Sequence, residues 1–268
     1  MTEQRPLRPT IAQIREVCQP PAIRGRRNSE HWAGDLYHRA ISPYITRVFL
    51  RLGFSANAVT WVMILLGWAA AASLLIPGLP GGFMAAILGQ TQMLIDSTDG
   101  EVARWRQTMS PTGIFLDKIA HYTTEAFIAI ALGVRAAGGF GSNADTGWIL
   151  VGALLAVVLL LNKSLNDFVH VARAQSGLAR VSESAEVSAP RPGLVANLRR
   201  VARYVPFHKL FHSIEMTLFA LVAAVIDVFV GDLIATRVLV AALLICAIPA
   251  TIGHAIAILS SNRLKAPA

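Results

Sequence analysis

Long apolar segments constrain this chain more than any other feature of its sequence. A helix needs about 20 mostly apolar residues to cross a lipid bilayer. Six segments approach that length: residues 59–78, 82–98, 114–135, 147–169, 213–231 and 237–259, the second and third being interrupted by charge. Charged residues make up only 15% of the chain, whereas soluble domains carry about 25%. The sequence therefore predicts an all-α integral membrane protein with six transmembrane helices.

The distribution of lysine and arginine predicts the side of the membrane on which each connection lies. Residues 1–58 carry nine arginines, and residues 170–212 carry six arginines plus Lys209, while residues 79–81 and 136–146 carry none. Because basic residues gather on the cytoplasmic side of membrane proteins, we expect both termini in the cytoplasm. The net charge of +8 then reflects topology and anionic lipid head groups rather than a nucleic-acid partner.

The same patterns divide the chain into segments. We expect a cytoplasmic N-terminal extension at 1–35, an amphipathic helix at 36–53, a six-helix domain at 54–262 with a cytoplasmic loop at about 171–212, and a cytoplasmic tail at 263–268. The helix at 36–53 has apolar residues at helical spacing, which suits a helix lying in the cytoplasmic membrane interface. An ordinary amphipathic helix packed on protein fits that spacing equally well.

The segment DSTDGEVARWRQTMSPTGIFLDKIAH, residues 96–121, joins the second span to the third at the cytoplasmic surface. At 100° per residue, two sets of residues each share a helix face: Asp96, Asp99, Gly100, Ala103 and Arg104 on the first helix, and Gly113, Asp117 and His121 on the second. An aspartate inside a span costs about 2.5–3.5 kcal/mol on insertion scales, so such acids normally face a cavity and serve a function.

Carboxylates that face one another would repel unless a cation neutralised them. The natural partner is a hard divalent cation, and Mg²⁺ commonly completes its coordination shell with substrate phosphates. Gly100 and Ala103 would leave space for a bulky ligand beside the metal, and Arg104 would supply hydrogen-bond donors to a phosphate. In the alternative interpretation, the acids pair with Arg104, Arg106 and Lys118 in a salt-bridge network at the membrane surface.

This motif resembles that of the CDP-alcohol phosphotransferase (CDP-alcohol phosphatidyltransferase) family, which is D-x2-D-G-x2-A-R-x8-G-x3-D-x3-D. Seven of its positions are identical in this chain and stand at the family's spacing: Asp96, Asp99, Gly100, Ala103, Arg104, Gly113 and Asp117. Asn57-Ala58-Val59-Thr60 is similar to the tetrapeptide that opens the first span in many members. The six-span layout and the place of the motif at the inner end of the second span agree with the family as well.

The resemblance implies a membrane enzyme of phospholipid biosynthesis. Such a transferase moves a phosphatidyl or similar phospho-alcohol group from a CDP-linked donor, commonly CDP-diacylglycerol, to the hydroxyl of an acceptor alcohol and releases CMP. Membrane lipids would surround it, and homodimers occur in the family. The active site would face the cytoplasm.

The resemblance also implies roles for the motif residues. Two Mg²⁺ or Mn²⁺ ions would be held on the diphosphate of the donor by Asp96, Asp99 and Asp117, and by the residue at the fourth acidic position, His121. The cytidine nucleotide would be bound by Asp96, Gly100, Ala103 and Arg104.

His121 stands where the family has a fourth aspartate, the residue usually assigned as the base that takes the proton of the acceptor. Imidazole is a base with an unperturbed pKa of about 6.5 and ligates metals while neutral, so His121 could perform both tasks. Two other interpretations stay open: a catalytically weak or silent relative that has lost its base, or a sub-family with a different acceptor. Glu125, one turn further along, could orient His121, or could simply face a cavity.

Polar residues of the fourth and fifth spans form a second set near the inner leaflet: Lys163, Asn166, Asp167 and His170, with His212 and Glu215. They could form a wall for the acceptor alcohol or for a phosphate that it carries, while Lys163 could instead extend to the interface. A rival class is a cation-binding membrane transporter. The position of the acids at one membrane surface, interleaved with Gly100, Ala103 and Arg104, argues against it.

Overall fold

The structure is a computed structural model that describes residues 5–6, 8–20, 33–142, 144–179 and 210–265. These residues form helices and contain no strand, which confirms the all-α prediction. The helices are α1 (Ile11–Cys18), α2 (Arg39–Arg51), α3 (Ala56–Ser73), α4 (Gly78–Arg106), α5 (Pro111–Ala136), α6 (Thr146–Gln175), α7 (Ser213–Val230) and α8 (Ile234–Ser260). A short π-helical turn, Gly34–His38, leads into α2.

Four helices of the described chain are long and apolar enough to cross a membrane, namely α3, α6, α7 and α8. The other two long helices, α4 and α5, have 29 and 26 residues. At 1.5 Å per residue each is about 40 Å long, which exceeds the roughly 30 Å of a bilayer core. Their lower mean hydropathy, and not their length, distinguishes them from the other four.

Several helices end at residues other than the predicted ones, and local features of the chain explain the differences. The first predicted span runs to residue 78, but α3 ends at Ser73, because the next residues form i→i−3 hydrogen-bonded turns and Pro77 caps α4. The prediction of a loop from about residue 171 is wrong at its start, since α6 continues to Gln175 and is followed by Gly177 with a φ of 69°. Most of that predicted loop, residues 180–209, lies outside the described residues.

The two helices that carry the motif are packed by protein on several sides. α4 packs against α3 and α7, and its last turns also contact α1 and α2. α5 packs against α3, α6, α7 and α8. This surrounding protein is the setting in which charged side chains are accommodated within a membrane bundle.

α5 and α6 cross in close backbone contact, far along α5 from the motif. A methyl group on Gly133 would lie 2.8 Å from Cα of Gly152, and small residues at such crossings allow membrane helices to approach. Near the same crossing, the buried Arg135 donates hydrogen bonds to the carbonyl oxygens of Ile76 and Gly78 at 3.0 and 2.5 Å. This basic residue at the end of α5 therefore satisfies the backbone of the α3–α4 turn.

α2 presents an apolar stripe outward that contains only part of its apolar residues. The side that packs toward α4 includes the buried Ser42 and Thr46, whereas Ile41, Tyr44 and Val48 are 41%, 56% and 53% exposed. An outward apolar stripe is what a helix in the membrane interface would bury in lipid. Other apolar residues of the helix pack on protein: Ile45 and Phe49 lie against the apolar cluster formed by α1, α3 and α4.

The N-terminal extension contains a helix that the sequence analysis did not predict. α1 begins with a capping box, in which the Thr10 side chain accepts a hydrogen bond from the Gln13 amide and the Gln13 side chain accepts one from the Thr10 amide. Ile14 and Cys18 are fully buried in an apolar cluster that also contains Trp105 of α4. The described part of the extension is therefore packed on the helix bundle.

Candidate active site

A short connection between α4 and α5 brings the two halves of the motif together. α4 ends at Arg106, and its C-cap residue Gln107 has a left-handed backbone with a φ of 55°. α5 begins at Pro111, and the Ser110 side chain caps it by accepting a hydrogen bond from the Gly113 amide at 3.2 Å. Proline has no amide hydrogen, and the first helical position needs none, so Ser110-Pro111-Thr112 suits the start of a helix.

Asp96, Asp117 and His121 meet between these two helices. Nε2 of His121 lies 3.3 Å from Oδ1 of Asp96 and 3.4 Å from Oδ1 of Asp117. One ligand atom from each of the three residues lies within 4.8 Å of the others, so a single cation could contact all three. Their side chains are 22–42% exposed, which leaves the cluster open to a ligand.

Asp99 borders this cluster and is oriented by α3. The Thr60 hydroxyl donates a hydrogen bond to Oδ2 of Asp99 at 2.7 Å, and Asp99 interacts electrostatically with both Asp96 and Asp117. Thr60 belongs to the tetrapeptide that resembles the family's first-span sequence. The contact supplies a physical role for this threonine, because a hydroxyl donor holds the Asp99 carboxylate in place. Asp99, a predicted ligand, is not among the three residues whose ligand atoms converge.

The cluster has the composition of a divalent-cation site. Carboxylate oxygens suit Mg²⁺ and Mn²⁺, and imidazole is a common transition-metal ligand. The alternative salt-bridge network is not observed: Lys118 pairs with Asp167 at 2.9 Å, and Nε of Arg104 donates to the carbonyl of Cys18 at 2.9 Å. Within the described ranges, therefore, the clustered aspartates make no direct ion pair with lysine or arginine.

The residues predicted to receive the nucleotide are only partly brought together. A Cβ on Gly100 would lie 3.1 Å from Nη1 of Arg104, so the guanidinium group covers the backbone of α4 at this glycine. Ala103 packs instead against the apolar cluster around α1, α3 and α4. Of the three residues, Gly100 and Arg104 are thus adjacent near the C-terminal end of α4, while Ala103 lies against apolar neighbours.

Glu125 does not contact His121, so the prediction that it orients this histidine is wrong. Its carboxylate is 2% exposed and forms an ion pair with Nζ of Lys163 at 2.7 Å, while Nδ1 of His212 lies 3.4 Å from the same oxygen. The carboxylates beside His121 are those of Asp96 and Asp117. Glu125 holds the Lys163 ammonium group within the bundle, which disagrees with extension of Lys163 to the interface.

Tyr122 connects polar residues of α5 and α6 that lie beside the cluster. Its hydroxyl donates a hydrogen bond to Asp167, which also accepts one from Lys118. The ammonium groups of Lys118 and Lys163 each lie 5.8 Å from the centre of the Tyr122 ring, within range of a cation–π interaction. In the sequence, the position of Tyr122 directly after His121 was the only signal of these contacts.

The remaining polar residues of the predicted acceptor wall are divided. Asn166 accepts a hydrogen bond from Arg263 at 3.0 Å and so connects α6 to the C-terminal segment. Glu215 is buried near the start of α7. His170 lies further toward the end of α6 and is partly exposed.

Comparison with protein families assigns the chain to a class. The family model described as CDP-alcohol phosphatidyltransferase matches residues 54–261, which include α3 to α8 and the complete motif. The chain therefore belongs to the CDP-alcohol phosphatidyltransferase family, whose members transfer substituted phosphate groups. A search of the curated proteins finds no match.

The family membership confirms the recognition made from the motif and the assignment as a transferase of phospholipid biosynthesis. It implies a CDP-alcohol donor, an alcohol acceptor and surrounding membrane lipids. α1 and α2 precede the matched region. The roles of individual motif residues and homodimerisation stay predictions.

Proposed function

We propose that this protein transfers a phosphatidyl group, or a similar phospho-alcohol group, from CDP-diacylglycerol to an acceptor hydroxyl and releases CMP, in a metal-dependent reaction. The convergence of Asp96, Asp117 and His121 between α4 and α5 carries this proposal. Among the described residues, these carboxylates have no lysine or arginine as an ion-pair partner. Such a group suits a divalent cation that also binds a diphosphate. Family membership supplies the reaction type.

We further propose that α3 to α8 all span the membrane, with both termini and the active site on the cytoplasmic side. The length of α4 and α5 and the cytoplasmic bias of basic residues support this topology. In this arrangement residues 54–262 form the catalytic domain, and the helix within 36–53 lies in the interface. Its exposed apolar stripe supports that position.

Asp96, Asp99 and Asp117 would hold two Mg²⁺ or Mn²⁺ ions, with His121 beside them as the base. When bound, the metal neutralises the donor diphosphate and stabilises the departing CMP. The Thr60 hydroxyl holds the Asp99 carboxylate beside the cluster. Gly100 and Arg104 form the side of α4 that receives the cytidine nucleotide, and Arg104 provides the donors for its phosphate.

In the transfer step, the acceptor oxygen forms a bond to the phosphorus of the phosphatidyl group. The bond from that phosphorus to the CMP oxygen breaks, and CMP leaves with the electron pair. His121 takes the proton of the acceptor hydroxyl. The neighbouring carboxylates of Asp96 and Asp117 stabilise the positive charge that the imidazole acquires.

The reaction is tested with the purified protein, CDP-diacylglycerol, Mg²⁺ and a panel of acceptors that includes glycerol phosphate, inositol phosphate, inositol and serine. We expect CMP release that requires both the acceptor and the metal, with one product whose mass equals phosphatidyl plus acceptor. Binding of the CDP-lipid without turnover would indicate the silent relative. Cation flux without CMP release would indicate the transporter.

The polar wall beside the cluster is proposed as the acceptor site. Lys163 and Glu125 form its inner pair, and Tyr122, Asp167 and Lys118 form its outer part. The double variant Lys163→Met with Glu125→Gln removes both charges of the inner pair, so that no buried charge is left unpaired.

We expect this double variant to raise the acceptor KM about tenfold, which corresponds to the loss of about 1.4 kcal/mol of binding. The donor KM should change by less than about twofold. Lys265→Met, at an exposed position of the C-terminal segment, is the control for loss of a lysine. A higher donor KM with an unchanged acceptor KM would contradict the assignment.

A further inference from the structure

Glu101 is a fully buried acid that directly follows the motif residue Gly100. It is 0% exposed, and both of its carboxylate oxygens accept hydrogen bonds. Ser42 and Gln19 donate to Oε1 at 2.7 and 2.8 Å, and Thr46 donates to Oε2 at 2.6 Å. Burial of a carboxylate costs free energy unless such donors replace water. The donors come from the end of α1 and from α2, both outside the family-matched region.

A second set of contacts connects this carboxylate to Arg104. Gln19, which Glu101 holds, directly follows Cys18 in the chain. The Cys18 thiol donates to the backbone carbonyl of Glu101 at 3.3 Å, and the carbonyl of Cys18 accepts from Nε of Arg104 at 2.9 Å. Burial raises the pKa of the Cys18 thiol to about 11, with the Glu101 charge adding to the effect, so that the thiol stays a neutral donor near pH 7.

The N-terminal extension is also held to the last turn of α4. Arg5 donates to the carbonyl oxygens of Arg104 and Trp105 at 2.5 and 3.1 Å, and its guanidinium carbon lies 5.7 Å from the centre of the Trp105 ring. A cation at the C-terminus of a helix is favourable because it bonds carbonyls that have no partner in the helix. The extension therefore contacts α4 at Glu101, before Arg104, and at Trp105, after it.

We propose that Glu101 is a positioning residue, which binds α1 and α2 to α4 and thereby fixes the Cys18 carbonyl that orients Arg104 toward the CDP group of the donor. This rests on the proposed function in one respect, that Arg104 binds the donor nucleotide. An apolar residue at position 101 would also pack α2 on α4. It would not hold Gln19, and therefore would not fix the carbonyl that receives Nε of Arg104.

Two isosteric variants disrupt the hydrogen bonds to the Glu101 carboxylate without changing side-chain size. Glu101→Gln turns one carboxylate oxygen into an amide donor that faces donors, and Thr46→Val removes one hydroxyl. We expect each to raise the donor KM about tenfold, with kcat and the acceptor KM within about twofold of wild type. Thr46→Ser, which keeps the hydroxyl, and Glu16→Gln, at an exposed position of α1, should behave as wild type.

A double-mutant cycle tests whether Glu101 acts through Arg104. Arg104→Gln alone should weaken donor binding. Adding Glu101→Gln to Arg104→Gln should weaken it no further, because the group that Glu101 positions is already absent. Additive effects would overturn the proposal, because they would show that Glu101 acts independently of Arg104.

Equilibrium binding of CDP to the detergent-purified full-length protein provides a measurement that does not depend on turnover. If the wild type binds CDP but releases no CMP from the donor, the proposed function fails, and the positioning role is still tested by CDP affinity. Equal CDP affinity in wild type, Glu101→Gln and Thr46→Val would overturn the positioning role. If Glu101→Gln does not fold, the pair Thr46→Val and Thr46→Ser decides the question.

Discussion

The variant Asp117→Asn is expected to lose about a thousandfold or more in kcat while the helix bundle stays folded. Asn has nearly the shape of Asp, but it removes one negative charge from a cluster whose proposed task is to hold divalent metal on a diphosphate. The Asp117 side chain is 42% exposed, so water can reach the groups that it contacts. Its replacement therefore creates no buried, unpaired polar group. The expected loss therefore comes from the chemistry of the site and not from unfolding.

Two measurements check this expectation. CMP release reports turnover, and electron paramagnetic resonance of added Mn²⁺ reports metal binding to the protein without substrate. Asp232→Asn is the matched control, because Asp232 is exposed and its left-handed backbone, with a φ of 51°, is one that asparagine also adopts. Wild-type turnover in Asp117→Asn, or turnover that persists in excess chelator, would contradict the metal-dependent function.

The second large effect is expected at His121. His121→Ala should lower kcat by about a hundredfold to ten-thousandfold, the usual contribution of a positioned general base. Affinity for the CDP-lipid should fall far less, since Asp96, Asp99 and Asp117 remain. The only other groups that could take the proton of the acceptor hydroxyl would be Asp96 and Asp117. Both carboxylates would already bind the metal.

His121→Asp restores the family residue and distinguishes the remaining interpretations. It should retain part of the activity if the histidine performs the task of the aspartate. If the wild type binds the CDP-lipid without turnover and His121→Asp turns it over, the chain is a relative that has lost its base. Ordinary turnover in His121→Ala would exclude His121 as the base.

Much of the architecture could be predicted because it depends on patterns that are local in the chain. A span requires a continuous apolar run, so the helices that became α6, α7 and α8 were predicted within a few residues, except at the extended end of α6. Asp117 and His121 are one helical turn apart, so that any helix through them places both on one face. The Ser-Pro-Thr start of α5 is likewise a local signal.

Contacts between helices could not be predicted in this way. The pairing of Glu125 with Lys163 rather than with His121 depends on how α5 and α6 pack, which no spacing along α5 encodes. The contact of Thr60 with Asp99 depends on the relative position of α3 and α4. The burial of Glu101 beneath α2 was missed for the same reason, since an acid beside a motif looks the same in sequence whether it faces water or protein.

The sequence by itself determined the class of the protein, because bilayer thickness sets the length of apolar runs and the helical repeat sets the spacing of the acids. Only the tertiary structure decided which acids share a cluster, which lysines are already paired, and how the N-terminal helix reaches Arg104. These outcomes depend on the depth and angle at which separate helices meet, and that geometry results from the packing of the whole bundle.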